Sequence, residues 1–134
     1  MTKEKKLFTL REAQRFVPWL SGIFIKIAPL RERLGNLNDE KEALRIRMQS
    51  NGGREAVKRA SSVQKDLADT LGKINEQVEQ IRQKGIILRG INPGLVDFLS
   101  MRETKEYYLC WVEGESEVRF WHDLDTGFSG RQLL

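Results

Sequence analysis

The run Phe120-Trp121-His122-Asp123-Leu124-Asp125-Thr126-Gly127-Phe128-Ser129-Gly130-Arg131 holds the chain's one histidine, two carboxylates, two glycines, an arginine and three aromatic rings. An imidazole among carboxylates is metal-ligand chemistry. His122, Asp123 and Asp125, joined by Asp97 and Cys110 from neighbouring strands, would suit a divalent ion such as iron, manganese or zinc. With one histidine available, such a site within one chain would be dominated by carboxylates, unlike the usual catalytic zinc site. The same run also fits acid–base chemistry. His122 and Asp125 are then the catalytic candidates, Arg131 and Asp97 the ligand-binding ones, and Gly127 and Gly130 let backbone N–H groups approach an anion. Cys110 and His122 would share one face of adjacent strands, the geometry of a nucleophile pair.

Each feature has a plainer explanation. His122 could end a strand and hydrogen-bond a backbone carbonyl or Asp125. The glycines could serve positive-φ turns that fold the tail over the sheet. Arg131 could clamp Asp97 or Asp125. Cys110 shares its face with Phe120 and Val112, which favours a buried, inert thiol. No catalytic motif is strong, so the reading leans away from an enzyme, and no cofactor is expected beyond the metal alternative.

Tyr107, Trp111 and Trp121 could stack nucleobases, as sheet aromatics do in RNA-binding modules. Charge argues against it. Residues 86–134 hold 5 Lys/Arg against 8 Asp/Glu, a net −3, which repels phosphate, whereas residues 1–85 hold 18 against 11, a net +7. Nucleic acid or a ribosomal surface would therefore meet the helical part, if either does. The basic residues there are interspersed with acids and read first as solvated helix faces. The three aromatics are assigned to an interface with the tail or a partner chain.

The elements that must position these residues follow from the spacing of apolar side chains. Thr9-Leu10-Arg11-Glu12 fits a capping box, so helix one should span 10–49, with bends at Pro18 and Pro29. Phe16, Leu20, Ile23, Ile27, Leu30, Leu34, Leu37, Lys41, Leu44 and Met48 step by fours and threes, the spacing of a coiled-coil seam. Val17, Trp19, Phe24 and Ile25 widen the apolar face of the first half alone. Ser50-Asn51-Gly52-Gly53 reads as a reversal. Helix two, 54–84, carries Val57, Ala60, Gln64, Leu67, Leu71, Ile74, Val78 and Ile81, and stops at Gly85. Folding back pairs Met48 with Val57, Leu37 with Leu67, Leu30 with Ile74 and Ile23 with Ile81. Lys41 then meets Gln64 in a polar layer.

After Gly85 the period changes to two. Strands are expected at Ile86–Ile91, Leu95–Met101, Glu106–Val112 and Glu117–His122, joined by short turns as a four-stranded antiparallel β-meander. A glycine-containing tail, 123–134, follows. The fold class is α+β: a long antiparallel two-helix coiled-coil hairpin, then the small meander, in a single domain of residues 1–134. Both sheet faces are apolar. One should pack on helix one, and the other needs the tail or another copy of the chain, so a homo-oligomer is expected.

With 134 residues, 40% of them hydrophobic and 31% charged, the chain can build one core. No apolar run suits a bilayer and no secretory signal is recognised, so a cytoplasmic protein without membrane contact is expected. The whole sequence resembles a bacterial family known as domain of unknown function 2203. The likeness rests on Phe8-Thr9-Leu10-Arg11-Glu12-Ala13, Pro18-Trp19-Leu20, Gly94-Leu95-Val96-Asp97-Phe98, Tyr108-Leu109-Cys110-Trp111, Phe120-Trp121-His122 and Asp125-Thr126-Gly127-Phe128-Ser129-Gly130-Arg131-Gln132. Leu133 stands where that pattern would have proline, and Ser129 where it has a small residue, often alanine. The resemblance brings no activity with it. The leading reading is a non-enzymatic protein-interaction or oligomerisation module that uses the hairpin to hold a protein partner. The alternative is a small enzyme or a ligand- or metal-binding protein centred on His122, Asp97, Asp125 and Arg131.

Overall fold

A computed structural model describes residues 5–50 and 53–134. Helix α1 runs Leu10–Gln49 and α2 runs Gly53–Gln83. Strands β1 (Ile87–Ile91), β2 (Gly94–Arg102), β3 (Lys105–Val112), β4 (Phe120–His122) and β5 (Gln132–Leu133) form one antiparallel sheet in that order. The architecture is α+β, a helical hairpin followed by a sheet of five strands rather than the expected four. The extra strand comes from the tail: Gln132 and Leu133 pair with Trp121 and Phe120. The chain divides into two compact units, Lys26–Gln77 and the remainder.

Helix α1 begins as its sequence requires. The Thr9 N–H donates to Glu12 Oε1 at 2.9 Å, and the Glu12 N–H donates to Thr9 Oγ1 at 3.1 Å. These reciprocal bonds satisfy two donors that the first turn would otherwise leave open. They also hold the Glu12 carboxyl below its ordinary pKa, the Thr9 backbone bond contributing most. The stabilisation is therefore present above the usual carboxylate pKa and fades as pH falls through the lowered one. The helix continues through Pro18 and Pro29 without a break. At the other end of the hairpin Gly85 has φ +81° and donates its N–H to the Arg82 carbonyl at 2.9 Å, the left-handed stop expected there.

In the unit Lys26–Gln77 the arms meet along a narrow seam. Leu37 and Leu44 of α1 cluster with Ala56, Val63 and Leu67 of α2, flanked by Leu34 and Ala60. Thr70 and Ile74 continue the buried line of α2. The seam therefore contains Ala56, Val63 and Thr70, each one residue before the expected Val57, Gln64 and Leu71. Val57 is 59% exposed, Leu71 46% and Met48 41%, so the proposed Met48–Val57 layer is open to solvent. Lys41 and Gln64 are exposed too and form no polar layer. Two ion pairs flank the seam instead, Arg33 with Asp66 and Glu40 with Arg59. Part of the expected reversal, Asn51 and Gly52, lies outside the described residues.

In the other unit the start of α1 lies on the sheet. The Phe8 ring meets Phe16 and Phe98 edge-on, and Phe24 packs on Trp111 with ring centroids 6.1 Å apart. The Phe8 N–H donates to the Leu99 carbonyl, and Gln14 exchanges both bonds with the Val118 backbone at 2.7 and 2.9 Å. This face carries Val96, Phe98, Leu109 and Trp111, all fully buried. The opposite face carries Asp97, Cys110 and His122.

Two glycine substitutions separate space from propensity. A Cβ on Gly94 would lie 2.5 Å from the Phe24 ring, whereas Gly72 in α2 has nothing within 4 Å. Gly94→Ala should cost about 1–3 kcal/mol through overpacking, and Gly72→Ala should add up to about 1 kcal/mol through helix propensity. Urea denaturation of both variants checks the opposite signs.

Candidate functional site

Three buried side chains from three adjacent strands converge on the sheet face away from α1. Asp97 comes from the middle of β2, Cys110 lies opposite it on β3, and His122 ends β4 opposite Tyr108. None is more than 2% exposed. One ligand atom of each, a carboxylate oxygen, the thiol sulfur and an imidazole nitrogen, lie within 4.8 Å of one another.

The hydrogen bonds define the imidazole's role. His122 Nδ1 lies 2.8 Å from the Asp123 carbonyl oxygen. A carbonyl only accepts, so Nδ1 carries hydrogen. Nε2 then points at Asp97 Oδ1, 2.9 Å away. The other carboxylate oxygen, Oδ2, accepts from Arg89 Nε at 2.9 Å. Arg89 therefore supplies the guanidinium that Asp97 needs. It sits where β1 departs from regular pairing with β2, between Leu88 and Gly90, and its guanidinium lies 5.1 Å from the centroid of the Tyr108 ring. The Asp97 bond, first among several causes, holds the Arg89 pKa above its ordinary value.

Arg131 does a different job from either clamp expected of it. Its NH2 group donates to both oxygens of Glu115, at 2.7 and 2.9 Å, and its guanidinium lies 4.0 Å from the Phe120 ring centroid and 5.0 Å from that of Phe128. Glu115 Oε1 also accepts the Val112 N–H, and the Glu115 carbonyl accepts from Trp111 Nε1. Arg131 thus ties the short 3-10 turn Phe128–Gly130 down to the β3–β4 connection.

Burial pushes the Cys110 thiol up to about 12; the negative charge of Asp97 adds to this and Arg131 opposes it. A thiol so protonated is a poor nucleophile at neutral pH. Beside the three buried groups lies a cavity of about 360 Å³, lined by Arg89, Leu95, Asp97, Cys110, His122 and the tail segment from Leu124 to Phe128. Asp125 and Gly127 stand in that wall, with Gly127 at φ +67°. Gly130 is where the chain passes Thr126: a Cβ would fall 2.5 Å from the threonine side chain.

The sequence profile of the uncharacterised conserved proteins designated DUF2203 matches residues 6–134. The chain belongs to this family. No curated protein and no solved structure matches it. For this DUF2203 protein the geometry is thus the guide to chemistry.

The structure brings together His122, Asp97 and Cys110, with Asp125 at the cavity wall. It draws Asp123 away into an ion pair with Lys105 at 3.3 Å. Trp111, expected at an interface, is core. Tyr107 and Trp121 meet edge-on, centroids 5.9 Å apart, at a half-open depression with Arg102, Lys105 and Leu134. Arg89 was missed. Its signal was strand alternation from Ile87, which puts it on the Asp97 face.

Two measurements test this arrangement. Asp97→Ala leaves buried His122 without its partner at Nε2 and should cost about 1–3 kcal/mol in chemical denaturation. Cys110 should resist alkylation at pH 8 in the native chain and react at a normal thiol rate once unfolded; rapid native labelling would contradict its burial.

Proposed function

We propose that this DUF2203 protein is a non-enzymatic protein-interaction module whose helical hairpin carries the binding surface. The observation behind this reading is the placement of apolar side chains outside the seam. Ile46, Met48, Val57 and Leu71 are all exposed, at 54%, 41%, 59% and 46%. Met48 and Val57 line one shallow depression together with Gly53, Arg54 and Lys58. Large exposed apolar groups edged by cations suit a protein surface that offers hydrophobic and acidic groups together. A second copy of the chain and a different protein both meet that description, and a cytoplasmic setting agrees with the free thiol.

The enzyme reading has less behind it. His122 has both ring nitrogens against oxygen atoms, at 2.8 and 2.9 Å, and Cys110 is held as a thiol. Arg131 is occupied by Glu115, so no free cation of the tail faces the buried carboxylate.

A photo-crosslinking amino acid at Val57, introduced in the cells that express the protein, should trap a discrete adduct that mass spectrometry identifies as a second copy or another protein. In that same variant, Ile46→Glu with Met48→Glu should abolish the adduct and leave the melting temperature within a few degrees, because both side chains are already exposed. An adduct that survives the double substitution, or its absence at Val57, would remove the hairpin from the function.

A further inference from the structure

The contact between His122 and Asp97 requires a positive species. With Nδ1–H donated to the Asp123 carbonyl, a neutral ring presents its Nε2 lone pair to Asp97 Oδ1, and two lone pairs 2.9 Å apart repel. A hydrogen ion can occupy that gap, and so can a metal ion. The surroundings match a metal site in three further respects. A ring whose other nitrogen donates to a backbone carbonyl is the usual state of a metal-binding histidine. The carboxylate is likewise oriented from outside, by Arg89 on Oδ2, which leaves Oδ1 free to turn inward. The third ligand type is present too: the Cys110 sulfur is one of three potential donors lying within 4.8 Å of one another.

We propose that His122 Nε2, an Asp97 carboxylate oxygen and Cys110 Sγ bind one divalent transition-metal ion, zinc by preference, with a fourth position open to the adjoining cavity. The mixed nitrogen, oxygen and sulfur set is suited to zinc and not to magnesium or calcium, which take oxygen alone. Tetrahedral ligands at zinc bond lengths stand roughly 3.3–3.6 Å apart, so the His122–Asp97 gap widens by about half an ångström on binding. Asp125 and Thr126 line the cavity beside the fourth position, which a water or a small anionic ligand can occupy. The ion brings two positive charges to the Asp97 carboxylate and to a Cys110 sulfur that gives up its hydrogen ion on binding. Arg131, the other cation near Cys110, is already neutralised by Glu115.

The composition makes the test unusually direct, because the chain has one cysteine and one histidine. Cobalt(II) is added to the full chain, prepared without a histidine tag. One ion per chain should bind with a tetrahedral visible spectrum and a thiolate-to-cobalt charge-transfer band, which Cys110 alone can generate. Zinc should displace the cobalt at one equivalent and raise the melting temperature, and a chelator should reverse the rise. On zinc binding the nitrogen resonance of His122 Nε2 should shift while Nδ1 keeps its hydrogen. Cys110→Ser should remove the band, and Asp97→Asn should weaken binding by about tenfold or more. The absence of the band from chain that circular dichroism shows to be folded overturns the proposal, without need of any variant. A band that appears only after unfolding, or an Nε2 resonance that zinc leaves in place, overturns it as well.

Discussion

A carboxylate buried in the middle of a sheet is the constraint on which much of this structure depends. Asp97 sits on the second of five strands and is almost fully removed from water. An isolated charge there would be prohibitively costly, so partners must reach it from both sides. Arg89 reaches it from β1 and His122 from β4, one on each carboxylate oxygen. That demand links the outer strands. An irregular β1–β2 pairing accompanies the first contact, and β4 must end on His122 for the second. The ring is then oriented by the carbonyl of the very next residue.

The sheet meets its two faces with different materials. The face with Phe98 and Trp111 is closed by the aromatic rings of Phe8, Phe16 and Phe24. Here the warrant is area removed from water and ring packing, with few polar obligations. The Asp97 face is closed by a tail that folds back as β5 and a 3-10 turn. That covering is held by polar bonds, above all Arg131 on Glu115 with Phe120 beneath it. Both bonds come from one guanidinium nitrogen, and a charge-assisted contact of this kind fixes the path of the tail. A cavity is left beside a polar cluster as a result, and it is this pairing of open space with unlike donor atoms that gives the site chemical possibilities.

The hairpin unit follows another rule. Its seam is one line of side chains wide on each arm, and several large apolar residues remain outside it. A narrow seam stabilises two helices against each other and leaves most of their surface for other contacts. No helix among the described residues is long and apolar enough to cross a membrane.

Much of this was determined by the sequence alone, wherever the deciding interaction is local. The capping box at Thr9 and the stop at Gly85 depend on residues within one turn and were readable as such. Strand alternation put Cys110 and His122 on one face, and they are there. The tertiary structure decided whatever had more than one local solution. Along α2 Leu67, Ile74, Val78 and Ile81 are buried as expected, but Val57 is a better apolar residue than Ala56, and Leu71 than Thr70, so at those places pattern alone chose the neighbour one residue along. The small Ala56 and Thr70 are the ones that fit the buried seam, where Thr70 Oγ1 satisfies itself on the Asp66 carbonyl. Arg131 was expected on Asp97 or Asp125 and took Glu115, while Asp97 took Arg89. A charged side chain answers to distance through space, and those distances exist only once the strands have paired and the tail has crossed them.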